Sequence, residues 1–235
     1  MAKALLEPTA EQTFLVVCDP DDKGEYNFSR VLEISRSLER KGEIEKACNV
    51  RYRAFQRLYE LLPEGEEVEL EWNDANSRAA LVLIHSSAID HFLIGDWEMC
   101  AGMLELLLEL DPEDHLEATI RLAYAYVALG EYDLFDEVIN DVSDKYADKQ
   151  ILNLWSEFRR NGHFREGDLV RFRKRFAVFY DEFTSDDHPV SSEYLEDIER
   201  ERPSDEALAR ELWLQTEHLW QLFPGFIETL RKTAN

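Results

Sequence analysis

Two glycines, Gly95 and Gly130, are each followed by an acidic residue and then an aromatic one: Gly95-Asp96-Trp97 and Gly130-Glu131-Tyr132. They stand 130 − 95 = 35 positions apart. Apolar residues recur at helical spacing on both sides of each turn, in Leu81–Ile94 and Met103–Leu110 around the first and in Leu122–Leu129 and Phe135–Val142 around the second. Glycine tolerates the positive φ at which a helix stops, so each turn reads as the joint of a helical hairpin. A period of roughly 20–50 residues is the mark of stacked supersecondary units, in which one hairpin buries its apolar face only against the next. That pattern predicts a mainly helical chain of successive hairpins.

Weaker units extend the series in both directions. Leu154–Phe158 followed by Asn161-Gly162-His163-Phe164 makes a third, spaced 162 − 130 = 32 from the second. Upstream, Leu32–Leu38, Lys41-Gly42-Glu43-Ile44 and Ala47 make a fourth, and the gap of 95 − 42 = 53 places an insertion at about residues 60–76. Within it, Val68, Leu70 and Trp72 alternate with Glu67, Glu69 and Glu71, which suggests an extended segment projecting from the stack and pairing with Phe14–Cys18 as a two-stranded ribbon. A helix start with acidic first-turn residues fits the same stretch equally well. The expected division is an N-terminal extension over 1–27, a repeat domain over 28–183 and C-terminal capping helices over 184–235. In the last of these, Leu208, Leu212, Leu219, Leu222 and Phe226 are expected to pack back over the final repeat. The helix after Gly162 is expected to carry one stripe of Leu169, Phe172, Phe176, Phe179, Tyr180 and Phe183, with Arg171, Arg173, Lys174 and Arg175 between.

Gly95-Asp96-Trp97, the closing Leu110-Asp111-Pro112 and the small Ala88 together resemble the tetratricopeptide (TPR) repeat, strongly over 81–142 and more loosely over 28–183. The resemblance implies an all-α fold, an α-α superhelix of about four hairpins, and a concave surface lined by the first helix of each pair that binds protein or peptide. Carried over residue by residue, that surface holds Arg36, Arg40, His85, Ile89, Phe92, Tyr124, Lys149, Arg159 and Arg160. The family's two-carboxylate clamp for chaperone tails would fall on His85, Ile89, Arg121, Lys149 and Asn153. Only Lys149 has the required chemistry, so that mode is rejected.

Charge decides among partners. With 50 acidic against 26 basic residues, the formal charge is −24, a field that repels nucleic-acid phosphates and anionic membranes. Against it stand the local basic groups Arg36, Arg40, Arg159 and Arg160, which suggest an acidic or phosphorylated segment as ligand, or else plain neutralisation of Glu39, Glu117 and Glu157. Nothing in the sequence points to catalysis or a cofactor. There is no HExxH, GxSxG, Walker loop or GxGxxG, and His85 and His91, six apart, point to different helix faces. Asp111, Glu113, Asp114 and His115 could ligate a cation but suit the capping of the next helix. Cys18, Cys48 and Cys100 are far apart and read as small core residues. Met1–Pro8 has no long apolar run, which leads to the expectation of a cytoplasmic protein. The reading is therefore a non-catalytic protein-binding adaptor or assembly factor. A regulatory or enzymatic domain on a helical-repeat scaffold, and a self-associating structural protein, stay open as alternatives.

Overall fold

The computed structural model describes residues 5–10, 12–19 and 23–232. By compactness it forms two units, one up to Ala125 and one from Tyr126. The chain is mostly helical, so the helical class holds.

The first unit contains β1 (Leu5–Pro8), β2 (Thr13–Val17), α1 (Phe28–Arg40), α2 (Ile44–Tyr59), β3 (Glu69–Leu70), α3 (Ala75–Ile94) and α4 (Trp97–Leu110). The division between units falls inside α5 (Ala118–Leu129). Helix α3 shows how local chemistry sets the boundaries. Asp74 caps its start by accepting from the backbone N–H groups of Asn76 and Ser77. Gly95 ends it at φ 79°, in the left-handed region, and the Gly95 and Asp96 amides return to Phe92 and His91 carbonyls at 3.2 and 3.0 Å. Asp96 then caps α4. Gly130 and Gly162 also follow helix ends with φ of 84° and 74°, as the repeat spacing predicts.

Helix α1 packs on α2, and α3 packs on α1, α2 and α4. Phe28, Leu58, Leu81, Leu83, Ile84 and Phe92 form the fully enclosed centre. Arg51, buried on α2, joins its neighbours on both sides. Its Nε and Nη2 donate to Asp90 of α3 at 2.8 and 2.7 Å, and its Nη1 donates to Glu39 of α1.

The insertion differs from expectation in two ways. Strand β2 does pair with β3, in parallel, with Thr13 opposite Glu69 and Phe14 opposite Leu70. However, β1 joins antiparallel on the other side of β2, so the sheet has three strands. Nor does the segment project: Val16, Val68 and Leu70 are buried, and the sheet lies on α3 and α4. A bare two-stranded ribbon is marginal in water, and a covering helix supplies the missing apolar contact. Polar side chains fix the seat. The Asn76 carboxamide donates to the carbonyls of Val16 and Tyr26 at 2.9 and 3.2 Å and accepts from the Phe28 amide at 2.9 Å. Ser77 Oγ accepts from the Val16 amide at 2.9 Å.

The second unit continues with α6 (Tyr132–Val138), α7 (Ala147–Asn161), α8 (Glu166–Arg175), α9 (Ala177–Thr184), α10 (Ser192–Ile198), α11 (Asp205–Leu222) and α12 (Pro224–Lys232). The stretch after Gly162 is two helices where periodicity predicts one. Phe176 leaves helical geometry at φ −126°, ψ 52° after its amide closes the last turn of α8 on the Phe172 carbonyl. The break re-aims Tyr180 and Phe183 into the core, where Phe183 meets Trp213 edge-on at 5.2 Å. Helices α11 and α12 pack on α9, and α12 also touches α7. Of the five apolar residues expected to pack back, Leu212, Leu219 and Phe226 are buried. Leu208 and Leu222 are exposed at 41% and 60%, because the covered side of α11 is narrower than the run of leucines. No helix among the described residues is long and apolar enough to cross a membrane.

A charged knot ties α9 to α11 and to the segment between α9 and α10. Glu182, mostly buried on α9, accepts from Arg210 of α11 through both carboxylate oxygens and faces His188 Nδ1 at 2.6 Å. Burial would raise the Glu182 carboxyl above its ordinary value, but the bonds from Arg210 and His188 outweigh it and hold it below. A carboxyl lowered in the folded state contributes stability above its unfolded pKa, lost as pH falls through the folded one. Glu182→Gln is therefore expected to destabilise by about 1–3 kcal/mol near neutrality. In urea titrations at stepped pH, the gap between wild type and variant should close as pH falls from about 5 downward. A gap that stays constant across that range would show that the carboxylate charge is not what stabilises the knot.

Candidate functional site

Helix α7 carries its apolar residues on one side: Ile151, Leu152 and Trp155 are fully buried. The rows at i, i+3 and i+4 on another side read Gln150, Asn153, Glu157, Arg160 and Asn161. Together with α6 and the start of α8, that polar side bounds a cleft of about 370 Å³ in the second unit. Phe135, Leu154 and Ser156, all buried, lie at its base.

Three guanidinium groups reach this cleft: Arg160, Arg165 and Arg171. Their restraints differ. Arg160 is fixed at every nitrogen. It grips Asp136 with two bonds of 3.0 and 2.6 Å, donates to the Tyr132 carbonyl at 3.1 Å and to Ser156 Oγ at 3.1 Å, and stacks 4.7 Å from the Tyr132 ring. Arg165 pairs with Glu157 at 3.1 Å, and Arg171 with Asp168 at 3.2 Å, but their side chains are 81% and 70% exposed. Such surface pairs contribute only about 0–1 kcal/mol and exchange readily for a better anion. Gln150, Asn153 and Asn161 have carboxamides with no hydrogen-bond partner among the described residues.

The other sequence-derived candidates lie elsewhere. Arg159 turns away from the cleft: it donates to the Ala128 carbonyl at 3.2 Å and stacks 4.2 Å from the Phe223 ring. Lys149 donates to the Val142 carbonyl at 2.7 Å and pairs with Asp144 at 3.0 Å. In the first unit, Arg36 and Arg40 are exposed on α1. His85 and Ile89 are half-buried on α3. Burial, aided by the nearby Arg121 charge, lowers the His85 pKa to about 4, so its ring is neutral at pH 7. Phe92 and Tyr124 are enclosed, their rings 6.3 Å apart, with the Arg121 guanidinium 5.2 Å from the Phe92 ring. Arg165 and Arg171 stand out in sequence only as part of a basic crowd. The signal that singles them out is their pairing in space with the acidic residues of α7 and α8.

The acidic cluster after α4 is built as a cap. Asp111 accepts from the His115 amide at 2.9 Å and faces its Nδ1 at 2.7 Å. Asp114 accepts from the amides of Ala118 and Thr119 at the start of α5. Among the described residues no group of three or more His, Cys, Asp or Glu could hold a metal ion. Cys100 is enclosed, and burial pushes its thiol up to about 12. The chain matches no family model, no curated protein and no solved structure.

Proposed function

We propose that the chain is a protein-binding module of TPR-like helical hairpins that takes an acidic or phosphorylated peptide in the cleft of α6, α7 and α8. The carrying observation is the set of three arginines there, one immobilised and two loosely held, beside three unengaged carboxamides. A phosphoryl group brings nearly two negative charges and three acceptor oxygens, so it competes well against the single carboxylates that now hold Arg165 and Arg171. Arg160 supplies a fixed reference charge at no further ordering cost. Carboxamides donate to the remaining oxygens or to peptide carbonyls. The solenoid geometry and the repeat family belong to this proposal as well: the helix-ending glycines support them.

A mixed-sequence peptide pool with one central phosphoserine, compared with the same pool carrying serine, tests the reading by fluorescence anisotropy. The phosphorylated pool is expected to bind more tightly, with affinity falling as salt rises, since exposed charges are screened within about 8–10 Å at ~0.1–0.15 M. Arg165→Ala with Arg171→Ala is expected to cost about tenfold or more in affinity while stability changes by less than ~1 kcal/mol per site. Equal binding of the two pools, or full binding by the double variant, would overturn the assignment.

A further inference from the structure

The first unit holds a larger groove, about 950 Å³, of the opposite character. It runs from the end of α2 along residues 60–69 to the last turn of α4 and Pro112. Its floor is apolar: Leu62, Pro63, Val68, Leu106, Leu110 and Pro112. Tyr59 stands at the edge with 61% of its surface exposed. Around that floor stand six glutamates, Glu60, Glu64, Glu66, Glu67, Glu69 and Glu109, and no lysine or arginine lines the groove. Glu67 accepts from the Gln12 carboxamide at 2.6 Å. None of the other five forms an ion pair or side-chain hydrogen bond with a described residue.

Elsewhere in the unit, Glu39 and Asp90 share the buried Arg51 as counterion. The groove glutamates carry six formal negative charges over an apolar floor with no such counterion. Each carboxylate repels its neighbours, so the free groove carries an electrostatic cost that a cationic occupant relieves. The volume is at the upper end of the ~300–1,000 Å³ typical of ligand sites, and the floor is long and apolar. A simple cation would satisfy the rim and leave the floor wet. An uncharged apolar segment would fill the floor and leave the rim repulsive.

We infer that this groove docks a basic amphipathic segment of a partner protein, its apolar side chains on the Leu62–Leu106–Pro112 floor beside Tyr59 and its lysines or arginines against the glutamate rim. The site is separate from the arginine cleft and does not depend on it. It gives the chain two binding surfaces of opposite charge, one in each unit.

The test uses the full chain and a short synthetic lysine/leucine peptide with the leucines at helical spacing, with oligolysine, spermine and Ca²⁺ as comparison probes. The lysine/leucine peptide is expected to bind more tightly than oligolysine and to weaken as salt rises. Glu→Gln at Glu60, Glu64, Glu66 and Glu109 together is expected to reduce affinity by about tenfold or more. All four are exposed, so the fold should tolerate the change. Tyr59→Ser should reduce it severalfold with salt dependence unchanged. The control neutralises Glu196, Glu199, Glu201 and Glu206, four exposed glutamates of the second unit, and should leave affinity as it was. If the control set costs as much as the groove set, net charge alone attracts the peptide and the assignment falls. It falls equally if oligolysine or spermine matches the lysine/leucine peptide, or if Ca²⁺ at low concentration displaces it, since the apolar floor would then contribute nothing.

Discussion

Arg51→Met is expected to destabilise the first unit by about 3–5 kcal/mol, because it strips the counterion from a carboxylate inside the helical stack. Arg51 is 5% exposed and the Asp90 side chain 17%. Methionine fills much of the volume, so the loss reports charge and not a cavity. Asp90 must then take up a proton or draw in water, and α1, α2 and α3 lose their shared tie through Glu39 and Asp90. By thermal unfolding the midpoint should fall by roughly 10 °C or more. The triple variant Arg51→Met, Asp90→Leu, Glu39→Met should regain most of that loss, since well-packed apolar replacements of buried ion clusters are often neutral or stabilising. A single variant within about 1 kcal/mol of wild type would mean that solvent already screens the Arg51–Asp90 pair.

Trp155→Ala should have an effect of similar size in the second unit. Trp155 is fully buried on α7, edge-on to Trp220 at 5.2 Å and 5.6 Å from Phe223. Truncation of an enclosed tryptophan costs about 3–5 kcal/mol, through lost burial and the cavity left behind. Trp155→Phe should cost less than half as much. Urea unfolding followed by far-UV circular dichroism measures both. Because Arg160 sits on the same helix, phosphopeptide affinity in the folded Trp155→Ala protein should also fall. Equal stability of Ala and Phe at this position would show that α11 and α12 do not hold α7 through this ring cluster.

The hairpins were legible because their signals are local. Gly95, Gly130 and Gly162 each take a positive φ where a helix ends, and Asp74 and Ser204 cap the residues that follow them. Alternation in the acidic insertion suggested a ribbon with the segment beginning at Phe14, but neither its parallel register nor the third strand. Neither proline nor glycine marks the break at Phe176, since an aromatic stripe at helical spacing looks the same whether one helix carries it or two. Exposure was harder still. Leu208 and Leu222 have the same hydropathy as Leu212 and Leu219, and only the width of the contact on α9 and α12 separates them. For the candidate cleft, the basic crowd in the last unit was visible. Glu157 was visible as a neutralising carboxylate but not as the partner of Arg165, and Asp136 and Asp168, which hold Arg160 and Arg171, were lost among fifty acidic residues.

The seat of the N-terminal strands has a consequence for synthesis. The Val16 amide donates to Ser77 Oγ, 61 positions later, and β2 pairs with residues 69–71. At ~5–20 residues per second, a ribosome needs about 3–12 s to make the span between them. Throughout that interval β2 has only β1 to pair with, and its other edge offers bare amides and carbonyls to any neighbouring nascent chain. Helices α1 and α2 can form meanwhile from contacts close in sequence. Strand β2 is thus made well before the residues that lock it, and a pause in translation before Asn76 would lengthen the exposure of that edge.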